Sequence, residues 1–153
     1  MKINLLAIGR RMPAWVEAGC AEYVKRLPKA WQFTVRELAQ ARGNTAGEIM
    51  QREADQLLQS IPERAWVVAL DQRGEAWSTE VLSRNVESWQ AQGRDVVLLV
   101  GGADGLHASV RERADQLWSL SPLVFPHPLV RVIVIEQLYR AQSILQGHPY
   151  HRN

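Results

Sequence analysis

The sequence predicts an α/β fold in which helices cover both faces of a mostly parallel β-sheet. Two strand-length segments, residues 65–71 and 95–100, are almost entirely apolar, which is typical of strands buried on both sides. Between them and around them, apolar residues recur at helical spacing, so strands and helices alternate along the chain. With 153 residues, 46% of them apolar, the chain suits one domain spanning residues 1–153.

The N-terminal third predicts two strands and the helix that joins them. Residues 2–9 form an apolar run ending at Gly9, and residues 31–38 alternate between apolar and polar side chains. Pro13 suits the first turn of the helix, which Pro28 stops. The apolar stripe of this helix consists of Trp15, Ala18, Gly19, Tyr23 and Leu27.

A second and a third helix are predicted from their capping residues. Thr45 and Glu48 match a capping box, in which each side chain satisfies the other residue's free backbone amide, and the helix ends before Pro62. After the strand at 65–71, residues 72–74 are predicted to turn the chain. Ser78 or Thr79 then caps the third helix, which Gly93 ends.

The C-terminal third is predicted to hold the strand at 95–100, a short helix at 109–116, and a short strand with its exit loop at 118–125. A long helix follows and is closed by Gly147. Its apolar side is expected to contain Glu136 as well, which we predict pairs with Arg131 or Arg140.

Ligands of parallel sheets bind beyond the carboxyl ends of the strands, so four segments are candidates for a site. They are residues 9–10, 70–71, 101–106 and 119–127. The glycines after residue 100 allow a ligand to approach the backbone closely, or else serve a tight turn that needs positive φ. The last segment, stiffened by prolines, can present backbone groups to an adenine edge or be a packed connection. His127 is more typical of a capping or packed residue than of a base.

The C-terminal residues 148–152 hold two histidines, a tyrosine and an arginine. Such side chains can stack on a base, bind phosphate or move a proton, although a frayed terminus is the alternative. A metal site is not expected, because the one cysteine is remote and no HExxH or CxxC spacing occurs.

The charge is uneven, although the net value is only +2. Residues 1–44 carry eight basic and three acidic residues, a net of +5, and the rest of the chain carries −3. This basic end, with Arg10, Arg11, Lys25 and Arg26, suits either a phosphate-binding surface or a solvated helix face. The single Cys20 fits a reducing compartment, and no apolar run is long enough for a membrane span, so a cytoplasmic protein is expected.

Several short motifs occur in a fixed order along nearly the whole chain. They are Lys2–Gly9 with Met12–Val16, Leu70-Asp71 with Gly74, Gly93–Val96, Gly101–Leu106, Ser119–Ser121, Pro126–Arg131, Glu136–Ala141 and His148–Arg152. In these motifs the chain resembles the bacterial ribosomal RNA large subunit methyltransferase H family. Members of that family are SPOUT-class enzymes that methylate N3 of a pseudouridine in 23S rRNA, in helix 69 of the large ribosomal subunit.

The resemblance implies a Rossmann-like sheet whose C-terminal part forms a deep trefoil knot. It also implies S-adenosyl-L-methionine as cofactor, bound by Leu70, Gly101, Leu120, Ser121, Pro122, Leu123, Val124 and Phe125. Family members are homodimers whose active site is built from both chains. The partners expected are therefore 23S rRNA, in the ribosome or the large subunit, and a second copy, with no DNA or membrane.

The tail residues are the candidates for catalysis by such an enzyme. His151 could accept the N3 proton of the base, Arg152 could stabilise the negative charge or bind a phosphate, and Tyr150 could stack on the base or orient it. Two alternatives are a non-catalytic RNA-binding or ribosome-assembly factor on the same fold, and a nucleotide-binding or hydrolytic α/β protein using Asp71, Asp104 and His127, which would depend on a divalent metal.

Overall fold

A computed structural model describes residues 1–152 of the chain. The strands are β1 (Ile3–Ile8), β2 (Thr34–Leu38), β3 (Trp66–Ala76), β4 (Val96–Val100) and β5 (Gln116–Ser119). The α-helices are α1 (Ala14–Val24), α2 (Ala46–Ser60), α3 (Thr79–Gln92), α4 (Ala108–Arg113) and α5 (His127–Leu145). All strand pairs are parallel, in the order β2-β1-β4-β3-β5, which confirms the predicted α/β class.

The sheet separates two apolar layers because side chains alternate along each strand. In β4, Val96, Leu98 and Val100 belong to the cluster that includes residues of α3 and α5. Val97 and Leu99 point to the other cluster, which includes residues of α2 and α4. All five residues of β4 are buried, as the apolar run predicts. Within residues 1–152, no helix is both long and apolar enough to cross a membrane.

Two tryptophans of the N-terminal third lie elsewhere than predicted. Trp15 is 59% exposed and its neighbour Val16 is buried instead, whereas Leu27 is buried and Tyr23 packs against the core, as predicted. Trp31 is buried in a 3-10 turn at Lys29–Trp31 rather than in a strand. The left-handed conformation of Gln32 (φ 45°) interrupts the extended chain there, and β2 begins only at Thr34.

The helix caps follow the sequence signals closely. Oγ1 of Thr45 accepts the amide of Glu48 at 3.1 Å, but the Glu48 carboxylate accepts the amide of Asn44, not that of Thr45. Ser78, rather than Thr79, caps α3, and Gly93 ends that helix in the left-handed conformation. The short helix α4 stops at Arg113, earlier than predicted, because residues 116–119 form β5.

The predicted turn at residues 72–74 is instead a wide bulge inside β3. Leu70 and Glu75 both lie opposite Trp118 of β5, so residues 71–74 bulge out and the strand then continues to Ala76. Gly74 closes this bulge against β5, where a Cβ atom would lie 2.5 Å from the carbonyl carbon of Leu117. The bulge therefore depends on a residue without a side chain.

We expect Gly74→Ala to destabilise the fold by about 2 kcal/mol, because the added methyl group overlaps backbone that cannot move away. Urea unfolding followed by circular dichroism measures this change. Gly47→Ala is the matched control, since the nearest atom to its Cβ would be 4.0 Å away and alanine favours a helix. Equal stabilities of the two variants would contradict the tight contact at Gly74.

Candidate functional site

A cavity of about 970 Å³ lies at the carboxyl ends of β3, β4 and β5. Its walls come from the β3 bulge, from the loop after β4 and from the loop that joins β5 to α5. The predicted cofactor residues on these walls are Leu70, Gly101, Leu120, Ser121, Leu123, Val124 and Phe125. Pro122 lies in the same loop but does not line the cavity. The structure thus brings together segments that are 50 residues apart in sequence.

The loop after β4 is a tight turn that forms one wall of the cavity. The amide of Gly105 donates to the carbonyl oxygen of Gly102 at 3.1 Å, and Gly105 has a φ of +85°. A Cβ atom on Gly101 would lie 2.9 Å from the carbonyl oxygen of Gly105. These glycines therefore allow both the tight turn and a bare backbone surface beside the cavity.

The side chain of Glu53, a buried residue of α2, lies against this loop. Its carboxylate accepts the amide of Ala41 at 3.1 Å, and a Cβ atom on Gly102 would lie 3.0 Å from Oε1. Burial raises the pKa of Glu53, partly offset by the Ala41 bond, and the charge of Asp104 raises it further. In the sequence, Glu53 recurs at helical spacing with the apolar residues Ile49 and Leu57. A charged residue on such a stripe is the signal that could have found it.

The first turn of α5 closes the cavity beside β1. His127 lines the cavity, and burial, with the nearby charge of Arg131, lowers its pKa, so the imidazole is neutral at neutral pH. Within residues 1–152, Nδ1 of His127 is buried and has no hydrogen-bond partner. The Cε1 atom would be 3.5 Å from a Cβ on Gly9, so the end of β1 borders the same place.

Arg131 is only 2% exposed and binds the ends of two strands. Its Nη2 donates to the carbonyl oxygens of Gly9 at 2.7 Å and Ile8 at 3.2 Å, and its Nη1 pairs with Glu37 at 2.6 Å. Of the two predicted partners of Glu136, Arg140 is the right one, at 2.6 Å, and Arg131 is wrong.

The β3 bulge places the Asp71 carboxylate, 7% exposed, on the cavity wall. Oδ1 accepts the amide of Arg73 at 2.8 Å, and the Nη1 atoms of Arg73 and Arg111 each lie 3.9 Å from one carboxylate oxygen. Arg111 also donates to the carbonyl oxygen of Leu106 at 2.5 Å, which ties the Asp71 side to the glycine loop. The opposite wall is apolar, and Leu123 and Val124 are 70% and 75% exposed.

The three predicted catalytic residues of the tail lie outside this cavity. The Tyr150 hydroxyl donates to Glu136 at 3.0 Å, and its ring lies 4.5 Å from that of Tyr139. Burial and the Glu136 carboxylate raise the pKa of Tyr150 to about 12, so the phenol stays protonated. Nε2 of His151 lies 3.3 Å from the Glu80 carboxylate, and Arg152 donates to a backbone oxygen of the tail itself.

The tail and the cavity are therefore separate within one chain. Glu136 lies six residues after Val130, the last residue of α5 on the cavity wall, which is a rise of about 9 Å along the helix. None of Tyr150, His151 and Arg152 lines the cavity. The sequence indicated the chemical character of the tail but not its position.

The basic residues of the N-terminal third divide into two groups. Lys25 and Arg26 each contact Glu22 at 2.6 Å, so much of their charge is compensated locally. Arg10 and Arg11 are exposed, follow Gly9 at the carboxyl edge of the sheet, and have no ion-pair partner in the part of the chain that the structure describes. Uncompensated positive charge thus lies beside the cavity.

Asp71, Asp104 and His127 all line the cavity, as the hydrolase alternative requires. Among the described residues, however, no group of three or more His, Cys, Asp or Glu side chains is placed to hold a metal ion. That alternative therefore lacks a ligand set within residues 1–152.

Comparisons with known proteins agree on one family. Residues 1–151 match a family described as predicted SPOUT methyltransferase. A protein of Thioalkalivibrio sulfidiphilus named ribosomal RNA large subunit methyltransferase H is 53% identical, over 99% of both chains. A protein of the same name from Hahella chejuensis is 50% identical, again over 99% of both chains. A probable methylase family protein of Haemophilus influenzae has a similar fold, with a TM-score of 0.56 at 10% identity over 99% of this chain and 70% of the other.

Proposed function

Because the chain belongs to the SPOUT methyltransferase family, we propose that it transfers a methyl group from S-adenosyl-L-methionine to 23S rRNA. The acceptor we propose is N3 of a pseudouridine in helix 69 of the large subunit. The observation that carries the proposal is the cavity at the carboxyl edge of the sheet, together with near-full-length similarity to relatives named as rRNA methyltransferases. We expect the protein to act in the cytoplasm, where ribosomes are its substrate.

The residues around the cavity fit the proposed cofactor. Its volume of about 970 Å³ is ample for a nucleoside-sized ligand, and Gly101 lets the loop after β4 close tightly beside it, where a Cβ atom would meet the carbonyl oxygen of Gly105. Apolar side chains of the loop after β5, among them Leu120 and Phe125, suit a flat base, and Asp71 and Arg111 supply polar contacts. The family resemblance further predicts that the C-terminal part is threaded as a deep trefoil knot.

When bound, the cofactor supplies a methyl group activated by its sulfonium sulfur. The chain's own residues orient the acceptor base and remove its proton. His151 accepts the proton of N3, because the free ring nitrogen of a neutral imidazole is a base. Arg152 stabilises the negative charge that remains on the base, and Tyr150 holds the ring in line for attack.

Such a division of roles requires a second copy of the chain. In one chain, Tyr150 is bound to Glu136, about 9 Å along α5 from Val130, the last residue of that helix on the cavity wall. A homodimer that presents the tail of one protomer to the cavity of its partner removes this separation. This distance supports the proposed composite site. Two chains together also offer more surface than one for holding both a cofactor and an rRNA segment.

The function is tested by supplying the purified protein with tritiated S-adenosyl-L-methionine and with naked 23S rRNA, free large subunits or assembled ribosomes. We expect label in one nucleotide, and mass mapping of rRNA from cells lacking the protein should show that modification missing. Gly101→Val is the control that should bind no cofactor, since its side chain would collide with Gly105. Binding of rRNA without any transfer of label would favour the assembly-factor alternative.

The composite site predicts that two variants, each inactive as a homodimer, form an active heterodimer. One is Gly101→Val, and the other carries Tyr150→Phe, His151→Ala and Arg152→Ala. A purified heterodimer of the two should regain about half of the wild-type rate, because one of its two sites combines an intact cavity with an intact tail. A heterodimer as inactive as both parents would show that each tail serves its own chain.

The uncompensated charge at Arg10 and Arg11 predicts that this edge contacts the RNA backbone. Arg10→Gln with Arg11→Gln should weaken rRNA binding and lower the slope of log affinity against log salt by about 1 to 2. Lys25→Gln with Arg26→Gln is the matched control, and we expect a smaller change because Glu22 already pairs with both. Equal slopes for the two double variants would contradict a specific role of the Arg10–Arg11 edge.

A further inference from the structure

The Asp71 carboxylate is a polar group of the cavity that methyl transfer itself does not use. It lies on the bulge of β3, directly after Leu70, and its side chain is 93% buried in the cavity wall. The amide of Arg73 occupies one lone pair of Oδ1, at 2.8 Å. The guanidinium nitrogens nearest to the carboxylate are 3.9 Å away, too far for hydrogen bonds, so acceptor capacity remains on both oxygens.

The charges around Asp71 favour a neutral hydrogen-bond donor over a cation as its ligand. Arg73 and Arg111 lie on either side of the carboxylate and compensate its charge. A cation in the cavity would also meet these two guanidinium groups. Hydroxyl groups carry no charge and can donate to the free lone pairs, which a carboxylate accepts strongly.

The position of Asp71 in the sheet indicates which hydroxyl groups these are. In nucleotide-binding α/β folds, an acidic residue at a strand end binds ribose hydroxyls while glycine-rich backbone approaches the rest of the ligand. Here Asp71 lies on the bulge where the first paired part of β3 ends, the neighbouring strand β4 leads into the glycine loop, and Arg111 links the two through Leu106. The apolar loop after β5 lies on the other side of β3.

Building on the proposed function, we propose that Asp71 accepts hydrogen bonds from the ribose hydroxyl groups of the adenosine part of the methyl donor. Arg111 is the positioning residue that holds this carboxylate against the glycine loop. The site therefore recognises a ribonucleoside rather than a deoxyribonucleoside, whatever group is attached at the 5′ position.

The test is calorimetry of ligand binding, which needs no RNA and no turnover. The ligands are S-adenosyl-L-methionine, 5′-deoxy-5′-methylthioadenosine, and the 2′-deoxy and 3′-deoxy forms of the latter. For the wild-type protein we expect at least one deoxy form to bind about tenfold or more weakly than methylthioadenosine, as for a hydrogen bond to a charged group. In Asp71→Ala, methylthioadenosine and its deoxy forms should bind with affinities within about threefold of each other. The affinity ratio for Asp71→Asn should lie between those of the wild-type protein and Asp71→Ala.

Asp104→Asn is the matched control, because it removes another carboxylate of the same cavity and should keep the wild-type preference. The ratio between ligands also separates recognition from folding, since a purely structural defect weakens all ligands alike. A wild-type protein that binds every form equally, or an Asp71→Ala variant that keeps the preference, would overturn the inference alone. Failure of the wild-type protein to bind S-adenosyl-L-methionine would contradict the proposed function as well.

Discussion

The buried guanidinium of Arg131 joins the parts of the chain on which the cavity depends. Removing such a charge from water carries a large free-energy penalty, which good geometry must offset. Arg131 meets this condition by donating to the last carbonyl oxygens of β1 and by pairing with Glu37 of β2. Since it lies in the second turn of α5, it also fixes the end of the loop that follows β5. That loop forms the apolar wall, so the position of this wall depends on Arg131.

The other two walls of the cavity are formed by irregular backbone, a bulge in β3 and a glycine turn after β4, rather than by apolar packing. The bulge of β3 turns residues 71–73 away from β5, so that Asp71 and Arg73 face the cavity. The turn after β4 relies on its glycines and rests on the buried carboxylate of Glu53. Polar recognition is thus concentrated on one side and apolar contact on the other. The tail residues Tyr150 and His151, which we propose act on the acceptor base, contact Glu136 and Glu80 and lie apart from both of these walls.

The sequence predicted the features that depend on neighbouring residues and missed those that depend on distant ones. The run at 95–100 identified β4 because a strand covered on both faces has no polar side, and Thr45 and Ser78 identified helix starts through local bonds. Trp15 was assigned to the buried side of α1 in place of Val16. Neighbouring residues of a helix point only about 100° apart, and the apolar stripe of α1 is too weak to distinguish them. The bulge of β3 requires knowledge of β5, and the Arg131–Glu37 pair joins residues 94 apart. The proposed cofactor loops came from strand ends together with the family resemblance, whereas the environment of Asp71 came only from the structure.

The order of strands in the sheet also constrains how the chain reaches this state. Strand β1 is the first to be synthesised, yet it lies inside the sheet between β2 and β4, and its pairing with the central strand β4 spans more than 90 residues. Contacts of such long range form slowly, because a large loop must close before they contribute any stability. The Arg131 anchor comes later still, so a chain emerging from the ribosome has no complete cavity until α5 is made. Ligand binding can therefore stabilise only the finished fold, and partly made chains depend on the cell's chaperones while their apolar strands stay unpaired.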